Sequence, residues 1–288
     1  MSELSEYAFV ATVAALSTAI LLYLVNALGA RSLRAFSLAD GGSLATRSAN
    51  GAYTTAGRYG TILAVNAFAF LTASLVFRTI ASGHGPFANM YEFSLAFAWG
   101  ALALYLYFEL RYRLRILGLL VLPIALGLLV YATTVPSDIT PLVPALQNDL
   151  LLTVHVAVAI IAYGAFTLAF GAAVLYLIQR RDSVRWLPRS TVLDEMGYKA
   201  VMVGFPMMAL VVILGALWAD IAWGTYWSWD PKETASLVTW LIYGGYLHAR
   251  VLRGWRGQRS AMLLILGFAA TLFTYFGNLF FGGLHSYG

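Results

Sequence analysis

Apolar residues fall into eight long runs along the chain, at roughly 7–30, 59–80, 91–108, 116–135, 151–178, 200–219, 235–249 and 260–281. Each is near the ~20 residues an α-helix needs to cross a bilayer. In lipid the backbone must satisfy its own hydrogen bonds, which a helix does. The seventh run is the shortest and its ends are the least defined. The pattern predicts an all-α polytopic membrane protein with about eight transmembrane helices and both termini on one side. Between the runs, Gly41–Gly57 reads as a polar loop of small residues, and Ile139–Leu150 has the pattern of a short amphipathic surface helix. No basic residue precedes the first run, and that run is too long for the apolar stretch of a signal peptide, so no cleavable leader is expected.

Composition sharpens the class. Hydrophobic residues make up 60% of the 288 and charged residues 11%, against about 25% charged in ordinary soluble domains. No soluble domain or internal repeat stands out. The net charge of +5 does not point to nucleic acid, because the basic residues sit in short runs between apolar segments. Those runs set the orientation. Arg31, Arg34, Arg47 and Arg58 lie between the first two spans, and Arg111, Arg113 and Arg115 between the third and fourth. Arg180, Arg181, Arg185, Arg189 and Lys199 lie between the fifth and sixth, and Arg250, Arg253, Arg256 and Arg259 between the last two. Only Arg78 and Lys232 fall toward the other face. The positive-inside rule makes the crowded face cytoplasmic, which puts both termini and the segment at 219–236 outside.

Cysteine is absent. Thiol–disulfide chemistry and thiolate metal sites are therefore excluded for this chain. Four histidines remain. Topology puts His84 in an outer loop, His155 near the outer end of the fifth span, His285 in the outer tail, and His248 near the inner end of the seventh span. A histidine at a helix end is commonly an interfacial residue. His155 is the least comfortable in that role, since its neighbours Val154, Val156 and Val158 are apolar and a ring nitrogen there needs a partner. Zinc would draw on more carboxylates or thiolates than the outer side offers. A haem takes axial imidazoles above and below a flat ring that favours aromatic walls.

Residues 223–234 read WGTYWSWDPKET. As an interfacial belt, these aromatics would mark the membrane surface. If the stretch were helical, Trp223, Tyr226 and Trp227 would share a face, with Trp229 set apart. Asp230 suits an N-cap, Pro231 the first helical position and Glu233 the third, a capping box that would begin the seventh helix. Lys232 reads as a solvated helix-start lysine, or else as a partner for an anionic ligand group; Arg78 is an equal candidate for that second role.

This stretch resembles the tryptophan-rich WWD signature of haem-handling proteins in cytochrome c maturation. WSWDPKET followed by LVTWLIYGGYLHAR is similar to the CcsA (ResC) branch rather than the CcmC or CcmF branches. So is GHGPFANMYEFSLAFAW, from Gly83 to Trp99. The resemblance runs from about residue 60 to the end, with one departure: many relatives carry tryptophan where this chain has Ala235. It implies a subunit of a cytochrome c synthetase, a haem lyase complex formed with a CcsB (ResB)-type membrane partner. That complex relays haem b, held transiently as substrate, outward and presents it for thioether attachment to apocytochrome c. Residues 1–58 would form an N-terminal helix and cytoplasmic loop, and 59–288 the haem-handling core with its WWD loop at 219–236. By resemblance, His155 and His285 are axial ligands flanking the loop, and His248 is a ligand to haem within the membrane, its opposite ligand expected from the partner chain. Trp223, Trp227, Trp229 and Asp230 belong to the haem cradle. A thiol-reducing thioredoxin-like protein and membrane lipid complete the implied partners, and nucleic acid is not among them. The implied location is a bacterial plasma membrane or a thylakoid, with the loop on the extracytoplasmic side. Two other readings stand beside this one: a b-type cytochrome subunit that conducts electrons, and a transporter of another planar hydrophobic ligand.

Overall fold

The computed structural model describes residues 1–40, 44–139, 149–179, 182–184, 186–277 and 280–284, with the side chains of 30–40, 44–53 and 149 outside that description. The expected surface helix at 139–150 and the ligand candidate His285 lie outside the described residues. The described residues form eight α-helices: α1 (Ser2–Asp40), α2 (Leu44–Ser82), α3 (Met90–Tyr112), α4 (Gly118–Ala132), α5 (Asp149–Ile178), α6 (Ser190–Trp223), α7 (Pro231–Leu252) and α8 (Gln258–Phe276). A 3₁₀ turn at Arg115–Leu117 leads into α4. No strand occurs among the described residues.

All but α7 are long and apolar enough to cross a membrane. The 22 residues of α7 are about 33 Å long at 1.5 Å per residue, so length is not what sets it apart. Lys232, Glu233, His248 and Arg250 dilute its apolarity, as does a run of threonines and tyrosines. The chain is nonetheless an all-helical polytopic membrane protein.

The polar reading of Gly41–Gly57 is corrected. Helix α2 already begins at Leu44, and α1 runs on to Asp40. Four alanines favour helix there while Thr, Ser, Asn and Gly oppose it, and extending the long apolar helix that follows carries no new nucleation cost; apolarity alone does not mark where a helix begins.

Side-chain contacts fix an up-and-down order. At one end, Ser5 Oγ donates to Ser74 O at 2.9 Å, tying the start of α1 to the end of α2. At the same end Arg78 pairs with Glu92 at the start of α3 and reaches Asp138 O beyond α4. The starts of α5 and α7 and the ends of α6 and α8 meet there too, around one cavity. At the opposite end, Tyr23 Oη donates to Glu109 Oε2 at 2.6 Å, and Arg250 on α7 pairs with Asp194 on α6 at 2.8 Å. Arg115 and Arg250 thus sit at one end, Arg78 and Lys232 at the other.

Lipid tails are as apolar as leucine, so helices in a bilayer associate through close packing and polar pairs. Helix α5 supplies the first. Ala162, Ala165, Ala169 and Ala172 are fully buried, and α3 comes so near that a Cβ on Gly164 would lie 2.6 Å from Gly100 O. Buried pairs supply the second: Ser94 Oγ with Tyr275 Oη at 2.7 Å, and Thr239 Oγ1 with Thr274 Oγ1 at 3.0 Å. These contacts hold α3, α5, α7 and α8 as rigid walls for what lies between them.

Candidate haem-handling site

Helix α6 ends at Trp223, where Gly224 takes φ 73° and its N–H returns to Asp220 O at 2.8 Å. Glycine bears that left-handed cap without a Cβ penalty. The turn overrides the helical arrangement of Trp223, Tyr226 and Trp227, so no flat three-ring face forms. Trp223 packs edge-on against Trp218 (4.8 Å, 76°), and Trp227 stands perpendicular to Trp229 (5.7 Å, 89°). Trp229 is therefore not set apart. It has a strained φ of 59° and is 69% exposed.

The capping box forms as expected. Asp230 Oδ1 accepts from Lys232 N at 3.0 Å, Glu233 reaches back to Asp230 N, and Pro231 opens α7. Glu233 Oε2 also accepts from Ser228 N at 2.9 Å, bracing the loop from within. Asp230 is 5% exposed and does more than cap: its Oδ2 accepts from Leu284 N at 2.7 Å, and Gly283 lies against the same carboxylate, where a side chain would collide with it. One carboxylate thus joins the start of α7 to the segment immediately before His285.

Beneath the loop lies a cavity. Helix α3 lines it with Phe93 and Phe97, α5 with His155 and Tyr163, and α6 with Gly215 and Trp218. Trp227, Lys232 and Glu233 close one side, and Thr274 and Tyr275 of α8 form another. Its aromatics form a ladder: Phe93 stacks on Phe97 (6.4 Å, 21°), Phe97 on Tyr163 (4.8 Å, 18°), and Tyr275 meets Phe97 edge-on at 5.1 Å. The cavity measures about 110 Å³, below the ~300–1,000 Å³ of ordinary small-molecule sites, so a macrocycle enters only if the loop and walls move apart.

His155 lines this cavity, half-buried. Gly215 makes room for it, since a Cβ there would lie 3.1 Å from His155 Cε1 and 3.6 Å from Nδ1. Nothing in the sequence beyond a small residue on α6 flags Gly215. Gly215→Ala is expected to push the imidazole aside by a few tenths of an ångström. A reduced-haem spectrum of the purified variant should show a loss of about three- to tenfold, short of the ~100-fold that follows ångström-scale misplacement of a positioned group.

His248 is elsewhere. It lies sixteen residues beyond Lys232 on α7, about 24 Å along the axis, on an exposed face with Leu241, Gly245 and Leu252. His84 stays in the turn after α2, its Nδ1 2.8 Å from Gly85 O. Arg78 is withdrawn as a ligand partner: it is 6% exposed and occupied by Glu92, Asp138 O and the face of Tyr91. Lys232 is not a solvated helix-start residue. It lines the cavity, and burial lowers its ammonium from the ordinary lysine value while the Asp230 carboxylate opposes the shift. Ala235 faces the groove between α7 and α8, beside Val238 and Phe273, rather than the aromatic cavity.

Residues 87–285 match the cytochrome c assembly protein family. The chain is 39% identical to the cytochrome c biogenesis protein CcsA of Guillardia theta, over 76% of this chain and 81% of that one. It is 34% identical to the CcsA of Microcystis aeruginosa, over 76% and 84% respectively. Among solved structures it resembles the cytochrome c haem lyase CcmF, with a TM-score of 0.60 over 93% of this chain at 18% identity. That likeness is one of fold, and this chain spans 46% of the lyase's length. With the WWD loop, the cavity beneath it and these relatives together, the chain belongs to the cytochrome c assembly protein family and groups with its CcsA members.

Proposed function

We propose that this chain acts in cytochrome c maturation as the membrane subunit that relays haem b outward and presents it for thioether attachment to apocytochrome c. One observation carries the reading: an imidazole, His155, lines an aromatic cavity whose covering loop is joined through Asp230 to the backbone just before a second histidine, His285. A flat, apolar, iron-bearing substrate needs axial nitrogen ligands and apolar walls, and these residues are of those kinds. With no cysteine, the chain cannot itself hold haem by a thioether; the attacking thiols belong to the apocytochrome. What this chain supplies is ligation by His155 and His285, orientation of the ring by Trp227 and its neighbours, and exclusion of water from the reacting edge.

His248 forms a second site in this reading. On its exposed face of α7, with Gly245 one turn away leaving open space, it suits a ring shared with a CcsB-type partner that brings the opposite ligand. The partition of basic residues supports an extracytoplasmic WWD end with both termini on that side. Haem then passes from the His248 level to the His155 level. A conducting b-type cytochrome would instead hold haem between paired histidines on facing helices; His155 and His248 lie far apart and flank no common space.

Reduced-haem spectra test the reading. The chain is purified in detergent with its partner as wild type, His155→Ala, His285→Ala and His248→Ala. The expected result is bis-imidazole haem in wild type, depleted at one site by either outer substitution and at a distinct site by His248→Ala. A preparation that carries no haem, or haem that survives all three substitutions, overturns the reading.

A further inference from the structure

Lys232 is the one cation that lines the cavity among the described residues. Its side chain lies over the Phe93 ring, with Nζ 5.8 Å from the centroid, and it lines the same space as His155, Trp227 and Tyr275. Among the described residues, no ion pair within 4.0 Å includes Lys232. Of the two carboxylates nearest in sequence, Asp230 caps α7 and holds Leu284 N. Glu233 turns Oε2 to the Ser228 and Asp230 backbones, while its Oε1 is buried without a hydrogen bond and the residue borders the cavity beside Lys232 without pairing with it. A cation in an apolar, aromatic cavity is costly unless something anionic meets it there.

We infer that Lys232 is a recognition residue for a ligand carboxylate, and that the group it meets is a propionate of the haem in the WWD cavity. The inference rests on the haem reading above and adds to it which part of the substrate the protein reads by charge. The aromatic ladder of Phe93, Phe97 and Tyr163 has no means of telling one end of a flat ring from the other. A single ammonium at the start of α7 does. It fixes which edge of the macrocycle turns toward the protein and, by exclusion, which edge bearing the vinyl groups faces the incoming thiols. Lys232 binds and orients; it takes no part in bond formation.

The test compares protohaem with its dimethyl ester, in which both carboxylates are neutral. Each is titrated into the full-length chain, copurified with its partner and carrying His248→Ala so that only the outer site is read. A His155→Ala control on that background defines the signal belonging to the cavity. With Lys232 intact, protohaem should bind about ten- to a hundredfold tighter than the ester, the scale of one charge-assisted hydrogen bond. Lys232→Met should bring protohaem down to the level of the ester and leave the ester unchanged, and Lys232→Arg should keep the preference. Equal binding of the two ligands to the intact lysine overturns the inference while leaving the haem site standing. Equal loss of both in Lys232→Met also overturns it, by showing a packing role. If neither ligand gives a His155-dependent signal, the haem reading itself fails.

Discussion

Asp230→Asn is expected to leave α7 capped and release the tail that carries His285. The two carboxylate oxygens have separate tasks: Oδ1 accepts from Lys232 N and Oδ2 from Leu284 N. Asparagine keeps one oxygen, which suits the N-cap, but its amide then points N–H groups at the Leu284 N–H. Asp230→Ala loses both. The lost cap costs about 1 kcal/mol, felt in the first turn of α7, and the lost charge-assisted bond to Leu284 N–H about 1.5–3 kcal/mol. Hydrogen exchange at residues 283–284 should therefore accelerate on the order of 10- to 150-fold in the alanine variant. In the asparagine variant the acceleration should be confined to the tail, with the first turn of α7 still protected. The functional consequence follows from connectivity, because His285 is the residue after Leu284. Both variants should lose the His285-dependent part of the haem spectrum, and added imidazole should restore it where His285 no longer reaches. Unchanged exchange and an unchanged spectrum in Asp230→Asn would show that the carboxylate does not hold the tail. The expected losses, by contrast, would make this aspartate a positioning residue for a ligand rather than part of the cradle wall.

What the sequence made legible follows the physics each feature depends on. The helices were readable because long apolar runs in a bilayer have few alternatives. The capping box at Asp230–Glu233 was readable because it is local chemistry, complete within four residues. The path of the loop was not: a single left-handed glycine after Trp223 redirects three aromatic rings, and helical spacing carries no warning of it. Arg78 and Lys232 read as equal candidates to meet an anionic ligand group for a similar reason. Both are lone cations at the same end, and only tertiary placement separates one neutralised by Glu92 from one left facing a cavity. Gly215 was invisible because its function is the absence of a side chain opposite His155. The separation of His155 from His248 was legible from topology, which puts them at opposite ends of their spans, and the length of helix between Lys232 and His248 agrees.

The segment from Gly83 to Trp99 carries the second large effect, and its chemistry is that of a clasp. Arg78 Nε donates to Glu92 Oε1 at 2.8 Å and Nη2 to Asp138 O at 3.0 Å, while Glu92 Oε2 accepts from Ala88 N at 2.8 Å. Asn89 caps α3 through Glu92 N and also reaches Asp138 O. The clasp presses Phe87 into a cluster with Leu152, Val156 and Trp218, the residues that flank His155. Glu92 is 1% exposed and Arg78 6%, so removing either leaves a buried charge without its partner, at a cost of about 3–5 kcal/mol. Glu92→Ala should lower detergent-unfolding stability by that amount, expose 83–89 to proteolysis and loosen haem held near His155. The double variant Arg78→Met/Glu92→Leu separates charge from architecture. It buries no ion, so most of the global stability should return. It still strands Ala88 N–H and leaves Asp138 O held by Asn89 alone, so the loop should remain protease-sensitive and haem retention low. Recovery of both stability and haem retention in the double variant would reduce the clasp to a charge-neutralising pair. Recovery of stability alone means that the backbone bonds made by Glu92 and Arg78 set the wall of the cavity, and that this motif serves the site without touching the substrate.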